Sequence, residues 1–359
     1  MIATKQKRYK FEPDYAVAPG ETLRETMESL AMSQKELAKR TELTVQTLNR
    51  IVKGEQPISY ETANRLEFAT NVPASIWNNL ESNYREQLVK LKERDRLKKD
   101  LKWLDSIPIK ELIERQIIPS SSDKVQLVRD TLKFYGVSSA DSWYDIWEQP
   151  AIAARRSPCF ESRPGAASAW IRIGELNAQR IDCNEFNSKI FRSSLTDIRK
   201  LSKSNPDHFI PEMVDICAES GVAVVLTPRL KKVPWSGATK WLSPNKAMIL
   251  LSLRGKFEDF FWFSFFHEAG HVLHDSKKDL LINDGTRKDD REIRADEFAA
   301  DLLIPAKYNS AISNIRSNSE VLQIAEKLEI SPGIVVGRYH HLTRQWKLFN
   351  RLRNKFQWA

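Results

Sequence analysis

The sequence predicts a multidomain chain with an all-α front half, an α+β domain carrying a small sheet, and a helical C-terminal tail. Three observations lead there. A length of 359 residues exceeds one typical domain. Residues 20–84 read as short helices separated by single-residue stops, with no strand signal. The β-branched and aliphatic runs GVAVVLTP and AMILLSLR, bounded by Gly, Pro and Asn, are confined to the stretch after Ser220.

Composition narrows the setting. The apolar fraction of 41% suffices for ordinary cores, and 56 Lys and Arg against 47 Asp and Glu leave a charge of +9, which favours a polyanionic partner. Cys159, Cys183 and Cys217 are widely spread with no C-x-x-C spacing, so neither a disulfide framework nor a thiolate zinc site is indicated and the cytoplasm is the natural compartment. The charged start MIATKQKRYKFEPDY is no signal peptide, and no run approaches the ~18 apolar residues of a membrane span. The richest apolar stretch, Phe257 to Phe266, is interrupted by Glu258 and Asp259 and reads as a buried helix.

Along the chain, residues 1–16 form a basic arm with Lys5, Lys7, Arg8 and Lys10, and residues 17–84 a helical domain. Residues 85–105 read as a linker helix with Leu88, Leu91, Leu97 and Leu101 on helical spacing, either solvated or pairing. Residues 106–215 form a helical middle region, 216–310 the α+β domain, and 311–359 the tail, whose IVVGRYHHLTRQWKLFNRLRNKF continues as helix after a Ser-Pro-Gly break.

Within 17–84, SQKELAKRTELTVQTLNRIVKG has the logic of two helices crossing at a tight turn. Ser33 and Glu36 form a capping box. Thr44 caps the second helix and Gly54 closes it. Leu37, Ala38, Leu43, Leu48 and Ile51 face inward. Gln46, Thr47, Asn49 and Arg50 are left as the polar side that reads a major groove, with Lys5, Lys7 and Arg8 on phosphates. From APGETLRETM to WNNLESNY the stretch resembles HigA-type antitoxins of the lambda-repressor-like helix-turn-helix family. That resemblance implies a double-stranded DNA operator, a homodimer on two-fold half-sites, and a toxin as a further partner. Where the family often has Gly in the turn this chain has Glu42, at a cost of about 1 kcal/mol if the position is left-handed.

The sharpest signal is Phe265-Phe266-His267-Glu268-Ala269-Gly270-His271. Histidines at i and i+4 share one helix face and can bind one Zn²⁺, while Glu268 reaches an activated water as general base. An HExxH pattern arises by chance in a chain this long only about 1% of the time, and a Phe-rich helix does not bury two histidines and a glutamate without cause. A catalytic zinc wants a third protein ligand and an open position. DREIRADEFAADLLIP supplies Glu292 as that ligand, with Asp296 one turn on to orient a histidine N–H, and Ala295, Ala299 and Ala300 leave room for close helix approach. His274 and Glu297 are rival ligands; His340 and His341 read as packing or surface residues. The strand AMILLSLR offers an edge to an extended peptide, or else is an ordinary core strand.

Together HEAGH and ExxADxFAxxLLxP resemble the ImmA/IrrE metallopeptidases, over about residues 220–310. The resemblance implies a zincin-like zinc endopeptidase that cleaves a repressor protein in a stress or phage response. Two functions follow. One is a DNA-binding regulator with a working peptidase, cutting a repressor, a partner, or itself at the mixed-charge segment 86–102. The other is an antitoxin-like repressor whose peptidase-like domain binds metal, a toxin or a signal without significant proteolysis.

Overall fold

In the computed structural model, which describes residues 15–148, 164–277, 280–283 and 290–358, the chain divides after Leu101 into two units. The first begins with five helices: α1 (Pro19–Ser29), α2 (Gln34–Thr41), α3 (Val45–Val52), α4 (Tyr60–Thr70) and α5 (Ala74–Leu97). The Ser33 hydroxyl accepts from the Glu36 amide at 3.2 Å and Thr44 accepts from the Thr47 amide at 3.0 Å, so α2 and α3 start where the sequence puts their caps. The reciprocal half of the expected capping box is not made. Glu36 instead accepts from Arg40 at 2.6 Å, because an ion pair one turn on competes with an amide that water can satisfy.

Glu42 ends α2 in the left-handed region, with φ of 55°. Arg65 donates to the Thr41 carbonyl beside it at 3.3 Å and so helps to hold a turn that costs a non-glycine residue about 1 kcal/mol. Gly54 follows α3 at φ +71°, where no Cβ strains the cap. Leu23, Leu37, Leu48, Ile51, Leu66 and Trp77 close one core between these helices. The last helix shows no boundary at residue 85. With neither Gly nor Pro between Ala74 and Leu97, α5 runs unbroken through it and passes into a 3-10 stretch, Lys98–Ser106. Segment 86–102 is therefore helical backbone, not an extended peptide ready for a protease.

The second unit opens with α6 (Ile109–Glu114), α7 (Lys124–Tyr135) and α8 (Ala140–Trp143), around an aromatic cluster of Trp103, Tyr135, Trp143 and Trp147. Next come α9 (Pro164–Gln179), α10 (Ser188–Lys200) and α11 (Pro206–Glu219), then β1 (Val222–Leu226), β2 (Gly237–Ser243) and β3 (Lys246–Leu251). The helix α12 (Glu258–His274) carries HEAGH and precedes β4 (Leu281–Asn283), α13 (Asp290–Leu303), α14 (Asn309–Ser313), α15 (Asn318–Leu328) and α16 (Pro332–Thr343).

The sheet order is β1-β3-β2-β4, with β1 parallel to β3 and the other pairs antiparallel. Of the two readings of AMILLSLR, this favours the ordinary core strand over the peptide-binding edge. Both edges of β3 are already paired, and its Ala247 to Leu251 are buried, as a run apolar on both faces requires. Among the described residues the sheet's outer strands are β1 and β4.

One core joins α10, α11, the sheet, α12, α13, α15 and α16. The expected boundaries at 215 and 310 therefore do not coincide with breaks in packing. Nor does helix continue to the end of the tail. It stops at Thr343, where Arg344 turns left-handed at φ 61°. The chain then crosses the start of α12: Phe257 bridges Lys355, and the Phe356 amide donates to the Lys256 carbonyl at 2.7 Å. Two buried carboxylates explain the course. Asn354 donates its amide and side-chain N–H groups to Glu258, each at 2.9 Å, and Arg353 grips Asp259 at 2.7 and 2.8 Å. Burial pushes the Asp259 carboxyl up by more than Arg353 pulls it down.

Candidate metal centre and recognition helix

Helix α12 is buried nearly all round, with Trp262, Phe265, Phe266 and Ala269 fully enclosed. This greasy surround fixes where its few polar groups point. His267 and His271, four residues apart, bring their Nε2 atoms to 3.0 Å. Helix α13 crosses closely, because Ala295 and Ala299 are small and buried and Gly270 faces Ala295. That approach delivers Glu292 from the first turn of α13, with one oxygen 3.2 Å from His267 Nε2 and the other 3.5 Å from His271 Nε2. Among the described residues, His267, His271 and Glu292 are the group whose ligand atoms gather within 4.8 Å.

These distances can be tested against a metal. Atoms bound to zinc at ~2.0–2.1 Å in a tetrahedron stand roughly 3.3 Å apart. The two histidine nitrogens, 3.0 Å apart, and the Glu292 oxygens, 3.2 Å from one and 3.5 Å from the other, stand close to that spacing. The donor chemistry agrees, since two imidazole nitrogens and one carboxylate leave a fourth position for water.

Each histidine is held from behind. His267 Nδ1 lies 2.8 Å from Asp296 Oδ1, and His271 Nδ1 lies 2.7 Å from Asp275 Oδ2. A carboxylate can only accept, so both Nδ1 atoms carry protons, which leaves the two Nε2 atoms on the Glu292 side as the nitrogens that can take a metal. Burial works against charge on His267, but hydrogen bonds to Asp296 and Glu292 win and push its pKa up to about 10. Burial likewise opposes ionisation of Glu292, but the two histidines hold its carboxyl at about 2. The centre thus prefers positive charge among its carboxylates.

Glu268 lies fully buried beside this group. Its Oε2 accepts from the Thr239 hydroxyl at 2.6 Å, and Oε1 has no hydrogen-bond partner. Burial drives its carboxyl up, only partly countered by the two histidines. The rival ligands stand elsewhere. His274 donates to the Gly270 carbonyl at 2.9 Å, receives Arg192 at 2.9 Å and packs on Phe298, which commits both ring nitrogens. Glu297 is exposed. His340 is buried, with Nε2 2.7 Å from the Leu348 carbonyl, and His341 is exposed.

Sequence reasoning missed Asp275, Thr239 and Gly237. Asp275 could have been found, since it follows His271 by the same four residues that join His267 to His271. Thr239 and Gly237 could not, because nothing local to β2 tells which helix residue it faces.

In the first unit, Gln46, Asn49 and Arg50 are exposed on α3. Thr47 is half-buried and its hydroxyl lies 2.9 Å from that of Thr44, so its role at the cap limits its reach. Lys5, Lys7, Arg8 and Cys159 lie outside the described residues. Cys183 and Cys217 are free thiols, the second buried. None of the described helices is long and apolar enough to cross a membrane.

Comparison with known families agrees with both halves. Residues 23–77 match a helix-turn-helix family, and residues 230–340 match a peptidase family described as the IrrE N-terminal-like domain. The second match extends through α16, which brings helices expected in the tail into the peptidase-like domain. No curated protein matches the chain.

Proposed function

We propose, from the pairing of a helix-turn-helix domain with an IrrE-like peptidase domain, that this chain is a cytoplasmic DNA-binding transcriptional regulator with zinc-dependent endopeptidase activity. His267, His271 and Glu292 are the metal ligands and Glu268 the general base. Asp296 and Asp275 hold the two imidazoles in the ligating tautomer. The observation that carries the reading is a three-ligand cluster with a buried, partly unpartnered glutamate beside it. A structural zinc is closed by four protein ligands, and a catalytic one keeps a position open.

Bound zinc supplies Lewis acidity, which lowers the pKa of water to about 7 and polarises a peptide carbonyl. Glu268 takes a proton from the attacking water and delivers it to the leaving amine. Its place for that exchange is geometric: it is buried beside the ligands, with Oε2 held by Thr239 and Oε1 without a hydrogen-bond partner. The exposed face of α3 enters a major groove through Gln46, Asn49 and Arg50, as a homodimer on paired half-sites. The substrate is a repressor or partner protein in a stress, phage or toxin-antitoxin response, and cleavage lowers operator occupancy.

Metal analysis of the purified chain, with a proteome-wide cleavage comparison of wild type and Glu268→Gln, tests this. About one zinc per chain in both, and fragments seen only with wild type, are expected. Identical fragment patterns would leave a metal-binding repressor or antitoxin without proteolysis.

A further inference from the structure

The ligands of the centre come from helices, but the environment of Glu268 comes from β2. Thr239 and Gly237 stand two residues apart on that strand and so share one face. Thr239 is buried, and its hydroxyl lies 2.6 Å from Glu268 Oε2 and 3.2 Å from the Glu268 carbonyl oxygen. A hydroxyl has one proton to give, and the contact to the carboxylate, shorter by 0.6 Å, takes it. Gly237 supplies the other wall. A Cβ built there would stand 2.5 Å from Glu268 Oε1 and 2.8 Å from its Cγ, closer than real Cβ contacts come. Any side chain at 237 would therefore drive the carboxylate out of its place.

We propose that Gly237 and Thr239 form a cradle that selects the rotamer of Glu268, with Thr239 acting as a positioning residue for the general base. This rests on the peptidase reading for its purpose, but not for its test. The cradle leaves Oε1 as the oxygen with a free lone pair, because Oε2 is already engaged. Threonine suits the position: Ser keeps the donor, whereas Val keeps the shape and leaves a buried carboxyl oxygen unpaired.

The test starts with the metal-free full-length chain, so that failure of catalysis cannot obscure it. Urea unfolding is followed for wild type, Thr239→Val, Thr239→Ser, Glu268→Ala and the Thr239→Val/Glu268→Ala double variant. Thr239→Val should lower the folding constant roughly 10- to 100-fold when Glu268 is present and change it little in the Glu268→Ala background, while Thr239→Ser stays near wild type. Equal losses in both backgrounds would overturn the proposal, since the hydroxyl would then serve the backbone carbonyl and not the carboxylate. Zinc binding should be unchanged in Thr239→Val and Gly237→Ala. Against a substrate from the cleavage comparison, kcat should fall about 10- to 100-fold in both with KM unchanged, and Thr239→Ser should restore it. Undiminished kcat in Thr239→Val would also refute the role.

Discussion

Removing the carboxylate behind His271 tests whether the metal centre depends on groups that never touch the metal. Asp275 has a side chain 3% exposed, lies 2.7 Å from His271 Nδ1 and accepts Arg294 at 2.9 Å. Asp296 does the same for His267 at 2.8 Å, but from a side chain 56% exposed. Loss of such an acceptor weakens metal binding about 10- to 100-fold, or about 1.4–2.7 kcal/mol. Burial decides which end of that range applies. Water can replace Asp296 and already screens it, so Asp296→Ala should cost about tenfold or less. Asp275 is almost wholly enclosed, so solvent replaces it less readily and Asp275→Ala should approach about 100-fold. Asp275→Asn, whose carbonyl oxygen still accepts the Nδ1 proton, should recover most of the affinity. The assay is competition for zinc against a chromophoric chelator at fixed pH, with circular dichroism to check the fold. Wild-type affinity in Asp275→Ala, or a larger loss in Asp296→Ala, would refute the reasoning.

The proton on His267 sets a second expectation. Its pKa of about 10 stands above the ordinary 6.5, so the metal-free protein holds stability below pH 6.5 that it loses as pH rises through 10. Zinc must displace that proton, and affinity should climb by up to about tenfold per pH unit between those limits; a flat chelator-competition profile from pH 7 to 9 would count against it. Arg353→Ala leaves Asp259 buried without its partner and should cost about 3 kcal/mol or more by urea unfolding, whereas replacing exposed Lys347 should cost almost nothing. In a salt-dependent binding assay, Gln46→Ala or Asn49→Ala should blur preference among DNA duplexes, while Lys5→Ala or Lys7→Ala should weaken all duplexes alike. Unchanged operator affinity after deletion of residues 1–84 would remove the DNA role from this domain.

Local chemistry decided much of this protein. Caps at Ser33 and Thr44, the stop at Gly54 and the i, i+4 spacing of His267 and His271 are short-range facts, because a helix converts spacing into a shared face within one turn. Even the pairing of α12 with Glu292 was legible, through the small residues that let α13 approach. Other features depended on contacts distant in sequence. Nothing within AMILLSLR says that both its edges are filled, because strand neighbours are chosen by the whole sheet. The tail reads as helix by its own pattern and ends early because Arg353 and Asn354 answer two carboxylates 94 and 96 residues away. Thr239 meets Glu268 only after the chain folds back, and Gly237 matters only because a carboxylate lies where its side chain would be. A buried charge must find a partner wherever the fold provides one, and periodicity along the chain carries no record of which residue that is.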